Sequence, residues 1–598
     1  MRIVLTFPSS ELIRSTLLRL FVLLFIALSV APAAVLGQGV EKDVCPRPRA
    51  GSIVPEPPDL RSESGVLRVE LTYTNFRDAL GQMHYCYRDN NGSQAPNLRL
   101  HPGDWLVLTL KNELKGDGAP PHQHAVAPTL VGGACGTGAM DGLSTNLHFH
   151  GLNVAPVCHQ DDVLHTLISP SDPPFEYRLQ VPADQPPGVY WYHPHVHGAS
   201  NVQLQGGASG ALIVEGIERA NPATAGLPER VLIIRHQELL KPDAEPYASV
   251  VMPEMPVLRD PDGDILNTGT GAGKPSKDLS INFVTVPYPD YPPGLIIIRP
   301  LERQLWRILN ASAITYLDLR LQYNGIPQFV GMVSIDGAPV NFAAVKQAER
   351  VKSSADKNEI VWLNHVDLPP GGRADFIMQG PPVGVYGNLI TQAVDTGPAG
   401  ENDPVRPLAN IMANADAPEP WSTLPASGAL PFAAQDSTWL GNAKPVRVRK
   451  LYFSERPSDP SNANSRTEFM VTVDGQEHAP YDPRSTAPNM TVRQGDVEEW
   501  VIENRTQELH AFHIHQLHFL LEESNGVRVE EPFLRDTVNV GFWDGKSASY
   551  PRVKLRMDFR SPRLVGTFVY HCHLLEDEDG GMMGTIHVVI GYQGVAVR

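Results

Sequence analysis

The stretch Tyr570-His571-Cys572-His573-Leu574-Leu575-Glu576-Asp577-Glu578-Asp579-Gly580-Gly581-Met582 sets two imidazoles around one thiol. It reads as a strand end, where neighbouring residues point to opposite faces. Cys572 then faces one way, and His571 and His573 the other. A metal held by the thiolate would sit one covalent path from metals held by the imidazoles, which is wiring for electron transfer. Thiolate, imidazole and the more distant thioether of Met582 form the ligand set of a blue-copper site.

Three more clusters extend the pattern: His148-Phe149-His150, His193-Pro194-His195, and His510-Ala511-Phe512-His513-Ile514-His515. A His-x-His pair on a strand puts both rings on one face, about 7 Å apart along the chain. That spacing suits one shared metal or two adjacent ones. A single pair is an ordinary feature of a strand. Four clusters in one chain, one of them carrying a cysteine, are a metal-site pattern.

The elements that must position these residues are repeated along the chain. Leu98 to Asn112, Ile298 to Asn310 and Met490 to Asn504 each run from a turn bearing an acidic residue into an alternating strand that ends in Asn. Alternation of this kind marks a sheet with one buried face. A second echo follows in each copy: Phe175 to Pro182 with Gly188 to His193, Arg373 to Met378 with Gly384 to Asn388, and Val553 to Phe559 with Gly566 to His571. At 598 residues, with 50 Gly and 55 Pro, the chain is too long for one core and rich in turns. Three homologous β-sandwich domains are expected, at residues 38–225, 226–430 and 431–598. The histidine clusters fall only in the first and third. The middle copy has Tyr386-Gly387-Asn388 at the equivalent place, so it is expected to carry no metal ligand and to act as a spacer. A metal cluster should lie between the outer two copies, each supplying four imidazoles.

A formal net charge of −17 argues against nucleic acid and anionic membrane surfaces as partners. With Cys572 a ligand, Cys45, Cys86, Cys135 and Cys158 remain. They can form two disulfides in an oxidising compartment, in any of three pairings, or stay as buried thiols. Arg14 and Arg19 precede the apolar run from Leu20 to Val30, and Ala31-Pro32-Ala33 offers a small-x-small cleavage site. Residues 1–37 are therefore expected to be a Sec-type signal peptide, since no adjacent arginine pair is present. An uncleaved anchor reaching Leu36 is the alternative. The expected destination is the periplasm or the extracellular space, with no membrane association after cleavage.

The four histidine clusters resemble those of the three-domain multicopper oxidases: laccases, bilirubin oxidases and bacterial cuprous oxidases. The resemblance covers nearly the whole chain after the leader. It implies an all-β fold of three cupredoxin-like Greek-key β-sandwich domains in tandem. It also implies four copper ions: one type-1, one type-2 and two type-3. Matched by motif position, His148 and His513 would hold the type-2 copper. His150, His193 and His571 would hold one type-3 copper, and His195, His515 and His573 the other. His510, Cys572 and Met582 match ligands of the type-1 copper. The implied reaction takes single electrons from a phenol, an aromatic amine or a low-valent metal ion and reduces dioxygen to water. Glu578 matches a proton-relaying acid of the family, and Asp161 or Asp162 a second one. The self-contained repeats make a monomer the expected state. His122-Gln123-His124 offers a satellite metal pair or a plain solvent loop.

One position departs from the family. A second type-1 histidine belongs five residues after the cysteine, and here that residue is Asp577. A carboxylate is harder than imidazole and charged, so it favours Cu(II) over Cu(I) and lowers the potential. Two readings stand: Asp577 ligates in a modified site, or the site is weakened, empty or remetallated. In the second case the chain is a copper-binding or scaffold relative with little turnover. Asp577→His is expected to raise both type-1 copper occupancy and oxidase activity. Unchanged values of both, by metal analysis and oxygen uptake, would show that this position does not limit the site.

Overall fold

The computed structural model describes residues 43–116, 135, 142–244, 258–259, 265–266, 273–340, 360–420, 422–425, 437–462, 465–529 and 534–591. The expected leader and the His122–His124 pair lie outside these residues. Cys45–Arg598 form one compact unit. No helix among the described residues is long and apolar enough to cross a membrane.

The fold is mostly β, built as three cupredoxin-like sandwiches. The repeated sequence segments occupy equivalent places in all three. In each, a leading strand pairs in parallel with a repeat strand. These pairs are Val66–Arg77 with Trp105–Asn112, Pro228–Gln237 with Arg303–Asn310, and Arg447–Pro457 with Val497–Asn504. The second echo, Phe175–Gln180, Arg373–Gln379 or Arg552–Asp558, then pairs antiparallel on the other side. The asparagine that closes each repeat strand is buried and ties loop carbonyls together. Asn112 Nδ2 donates to Leu143 O and Ile168 O, Asn310 Nδ2 to Thr315 O and Leu368 O, and Asn504 Nδ2 to Glu508 O and Val540 O. A short amide suits this task because one Nδ2 offers two donors to carbonyls that the ladder leaves unpaired.

The facing sheet of the first sandwich carries His148–His150 beside Gly188–His193. That of the third carries His510–Ile514 beside Gly566–Cys572. These two strand pairs bring the histidine clusters to the interior. The core of the third sandwich continues without a break into the other two, through Trp191, Ile213, Ile233 and Leu309. The sandwiches therefore share apolar packing rather than meeting through solvent. The four cysteines other than Cys572 form two disulfides, Cys45–Cys86 and Cys135–Cys158.

Trp500 supports both histidine strands of the third sandwich. Its buried ring meets Phe512 and packs edge-on against Tyr570, and its Nε1 donates to Glu498 Oε2 at 3.0 Å. Trp500→Ala should cost about 3–5 kcal/mol of stability, the usual range for emptying a buried aromatic site. Urea unfolding followed by circular dichroism measures it, and a cost below about 1 kcal/mol would contradict the packing described.

Candidate metal centre

Eight imidazoles meet in one buried cage. The antiparallel registers pair His148 with His193 in the first sandwich and His513 with His571 in the third. The two halves close on each other by ring stacking. His148 lies 3.7 Å from His515 and His150 3.9 Å from His513, centroid to centroid. His571 Nε2 sits 3.3 Å from both His195 Nε2 and His515 Nε2.

The order of the two histidines around Cys572 differs from the motif-based assignment. The donor atoms of His150, His193 and His573 lie within 4.8 Å of one another, as do those of His195, His515 and His571. His573, not His571, shares the space of His150 and His193. The reason is topological. His571 is still within its strand and faces His513, whereas His573 lies past the strand end, beside His150 and Trp191. Sequence spacing places both rings on one face but does not say which neighbour each meets.

The ring nitrogens fit a metal. One nitrogen of most cage rings is tied to an acceptor, which fixes the tautomer. His148 Nδ1 lies 3.0 Å from both oxygens of Asp161. The Nδ1 atoms of His193, His513 and His571 meet the carbonyls of Pro194, Asp536 and Cys572 at 2.8–2.9 Å. His150 is reversed, with Nε2 3.3 Å from Asp536 Oδ1. The opposite nitrogens, His148 Nε2, His193 Nε2, His513 Nε2 and His150 Nδ1, are buried without a hydrogen-bond partner. Buried polar atoms are normally satisfied. Inward lone pairs on neutral imidazoles are what a borderline metal such as copper takes. Burial keeps them neutral: it holds His571 down to about 3, and burial with neighbouring imidazoles holds His150, His193, His195, His513 and His515 well below the ordinary range.

On the opposite face of the same strand, Cys572 Sγ lies 3.4 Å from His510 Nδ1 and 3.4 Å from Asp577 Oδ2, and those two are 3.0 Å apart. All three are buried. Asp577 thus occupies a donor position of the triad. Thr506 Oγ1 holds His510 Nε2 at 2.8 Å, leaving Nδ1 for the triad. Burial pushes the Cys572 thiol up to about 12, His510 notwithstanding, and raises Asp577 as well. Met582 is buried, and its backbone closes the loop: Cys572 N donates to Met582 O and Met582 N to Asp577 O.

The acids separate clearly. Asp161 is buried against His148, accepts from Phe149 N and receives Gln516 Nε2 from the third sandwich. Asp162 turns outward and pairs with the exposed His165. Glu578 is buried with Oε2 3.4 Å from His571 Nδ1 and Oε1 3.6 Å from His195 Nδ1. Burial, then Asp579, pushes its carboxyl well above the usual range. Sequence reasoning passed over Asp536 and Asp579. Asp579 caps backbone amides of Gly198 and Asn201 across the sandwiches. Asp536 stands outside the histidine motifs and Asp579 within the Tyr570–Met582 stretch, and what each of them reaches emerges only in the assembled site.

The fold and this donor set define a three-sandwich copper protein with a thiolate site joined to an imidazole cage. Two multicopper oxidase family models match residues 455–591 and 140–219. The multicopper oxidase mco of Staphylococcus haemolyticus is 22% identical over 539 residues, 88% of each chain. A Campylobacter jejuni multicopper oxidase described as a metallo-oxidase superposes with a TM-score of 0.60 at 23% identity, over 91% of this chain and 96% of its own. A laccase-like multicopper oxidase, CueO of Ochrobactrum sp., gives 0.56 at 19% identity, over 90% and 100%. The chain is similar to multicopper oxidases over most of its length, and is a copper-dependent oxidase with dioxygen as acceptor.

In the metal-free protein the His571 ring should stay neutral from about pH 8 to about pH 5, since burial moves its protonation from 6.5 to about 3. His165 should titrate above the ordinary imidazole value, because Asp162 hydrogen-bonds its charged form. NMR of ¹⁵N-histidine-labelled protein follows both rings. A His571 titration near 6.5 would contradict the buried cage.

Proposed function

We propose that the protein oxidises a small reducing substrate one electron at a time and passes four electrons to dioxygen. The donor is a phenol, an aromatic amine or a low-valent metal ion. His148 and His513 would hold one cage copper. The sets His150, His193, His573 and His195, His515, His571 would hold the other two. His510, Cys572 and Asp577, with Met582 as a weaker donor, would hold the electron-accepting copper. The observation that carries this reading is the set of partnerless inward nitrogens next to a thiolate triad on the same strand. Bound copper would supply one-electron acceptance at the thiolate and multi-electron delivery to dioxygen in the cage.

The chain's own residues do the rest. Cys572 is joined by peptide bonds to both flanking cage histidines, so electron entry and oxygen reduction share one short covalent route. Glu578 stores a proton at its carboxyl beside His195 and His571, where reduced oxygen needs it. Asp161 fixes His148 and, through Gln516, holds the first sandwich to the third at the cage. Asp162, paired with His165 at the surface, serves proton supply at most from outside. The family relatives named above point to two donor classes, metal ions and laccase-type organic donors. Units of 38–225, 226–430 and 431–598, a Sec-type leader, periplasmic or extracellular residence and a monomeric state complete the proposal. A second reading, a copper-binding relative with little turnover, draws on Asp577 alone.

The copper-loaded protein should consume oxygen with at least one of four donors, a phenol, an aromatic amine, ferrous ion or cuprous ion, at four electrons per O₂. Cys572→Ser should keep the cage copper but lose the thiolate-to-copper absorption band and fall to background uptake. Full copper loading with no uptake from any of the four donors would favour the binding relative.

A further inference from the structure

The middle sandwich supplies no imidazole to the cage, yet its Arg373 reaches the cage's supporting acid. Arg373 opens the strand Arg373–Gln379 and is fully buried. Its guanidinium forms a bidentate pair with Asp536 of the third sandwich: Nη1 donates to Oδ1 at 2.7 Å and Nη2 to Oδ2 at 2.6 Å. Nε donates to Val189 O of the first sandwich at 3.3 Å, and Nη2 also to Asp336 O at 2.9 Å. One side chain thus binds all three sandwiches. Asp536 in turn takes His150 Nε2 on Oδ1 and His513 Nδ1 on its carbonyl, at 3.3 and 2.8 Å. The fit leaves no slack. Gly151 has φ +88°, and a Cβ there would lie 2.4 Å from Arg373 Nη2 and 2.8 Å from Asp536 Oδ2.

We infer that Arg373 and Asp536 are positioning residues that set the tautomers of two cage histidines, so that the middle sandwich takes part in the site. The inference rests on the reading that His150 and His513 hold copper. A neutral imidazole carries one N–H. A carboxylate oxygen that accepts at His150 Nε2 puts the hydrogen there and turns the Nδ1 lone pair into the cage. The Asp536 carbonyl does the reverse at His513, leaving Nε2 free. A carboxylate can rotate to offer its oxygens elsewhere. The planar fork of Arg373 removes that freedom, because two parallel N–H bonds fix the carboxylate plane as well as its position. Lysine offers a point charge and no such fork. Thr537 Oγ1 donates to Asp536 Oδ1 at 2.9 Å and completes the hold. Two buried charges facing each other are a weak source of stability but a strong source of orientation.

The test uses Arg373→Lys and the isosteric Asp536→Asn in the full chain. The first readout is the ¹⁵N spectrum of metal-free protein, which reports the tautomer of His150 without copper or turnover. Wild type should show the hydrogen on His150 Nε2. Asp536→Asn should shift it toward Nδ1, and Arg373→Lys should give a mixture. The second readout is copper retention in the cage against a chelator, with the thiolate-to-copper band as internal control. Retention should weaken about 10–100-fold, the usual effect of losing an outer partner of a ligand histidine, while the band is kept. Arg373→Lys should retain more copper than Arg373→Leu. Wild-type tautomer and retention in folded Asp536→Asn would overturn the inference. That variant decides the matter if the arginine variants do not fold. A wild-type cage that has the stated tautomer but takes no copper would instead refute the copper reading.

Discussion

Eight imidazoles packed into one buried cage, several with inward nitrogens that have no hydrogen-bond partner, are the constraint on which the structure depends. A buried polar atom without a partner costs about 1–3 kcal/mol, and the cage collects several. Left to relax, such rings would rotate toward any nearby donor. They are prevented by what holds their other nitrogens: Asp161 on His148, backbone carbonyls on His193, His513 and His571, and Asp536 on His150. The cage is thus kept open by hydrogen bonds made on its outside, and a metal is the partner that the inward atoms lack.

The three sandwiches make that arrangement affordable in different ways. The first and third each present one histidine strand pair at the same place in the fold. Their shared apolar core, running from Trp191 through Leu309 to Phe512, keeps water and alternative packings out. Trp191 stacks on His193 at 4.0 Å. The middle sandwich supplies none of the eight cage imidazoles, and it contributes from behind. Its Gly371, at φ +80°, has no Cβ to collide with His573 Nε2, which would lie 2.7 Å from one.

The thiolate triad obeys the same logic with a different donor. Asp577 sits in the single turn Leu575–Asp579, which is fastened to the first sandwich by Asp579 accepting from Gly198 N and Asn201 N. The position is therefore set by the fold, and the side chain there meets Cys572 and His510 as a donor of its length should. What changes with carboxylate in place of imidazole is charge and hardness. Both favour the oxidised metal over the reduced one.

Much of this was legible in the sequence because strand geometry is local. Period-two alternation identified the repeat strands, His-x-His spacing put paired rings on one face, and the odd cysteine stood out among four that became disulfides. The repeats located three sandwiches since each copy carries its own alternating pattern. What the sequence could not contain were relations between distant segments. His150 and Asp536 are 386 residues apart, and no local pattern links them. Asp161 and Asp162 are adjacent and alike in sequence, and only the fold turned one to His148 and the other to the surface. Whether His571 or His573 joins His150 likewise depends on where the Gly566–Cys572 strand ends against its neighbour. The sequence by itself determined the donors and the face on which each lies, because side-chain direction follows from the strand. Tertiary structure alone decided which donors share a space and which acid orients them, because cross-sandwich packing sets those distances.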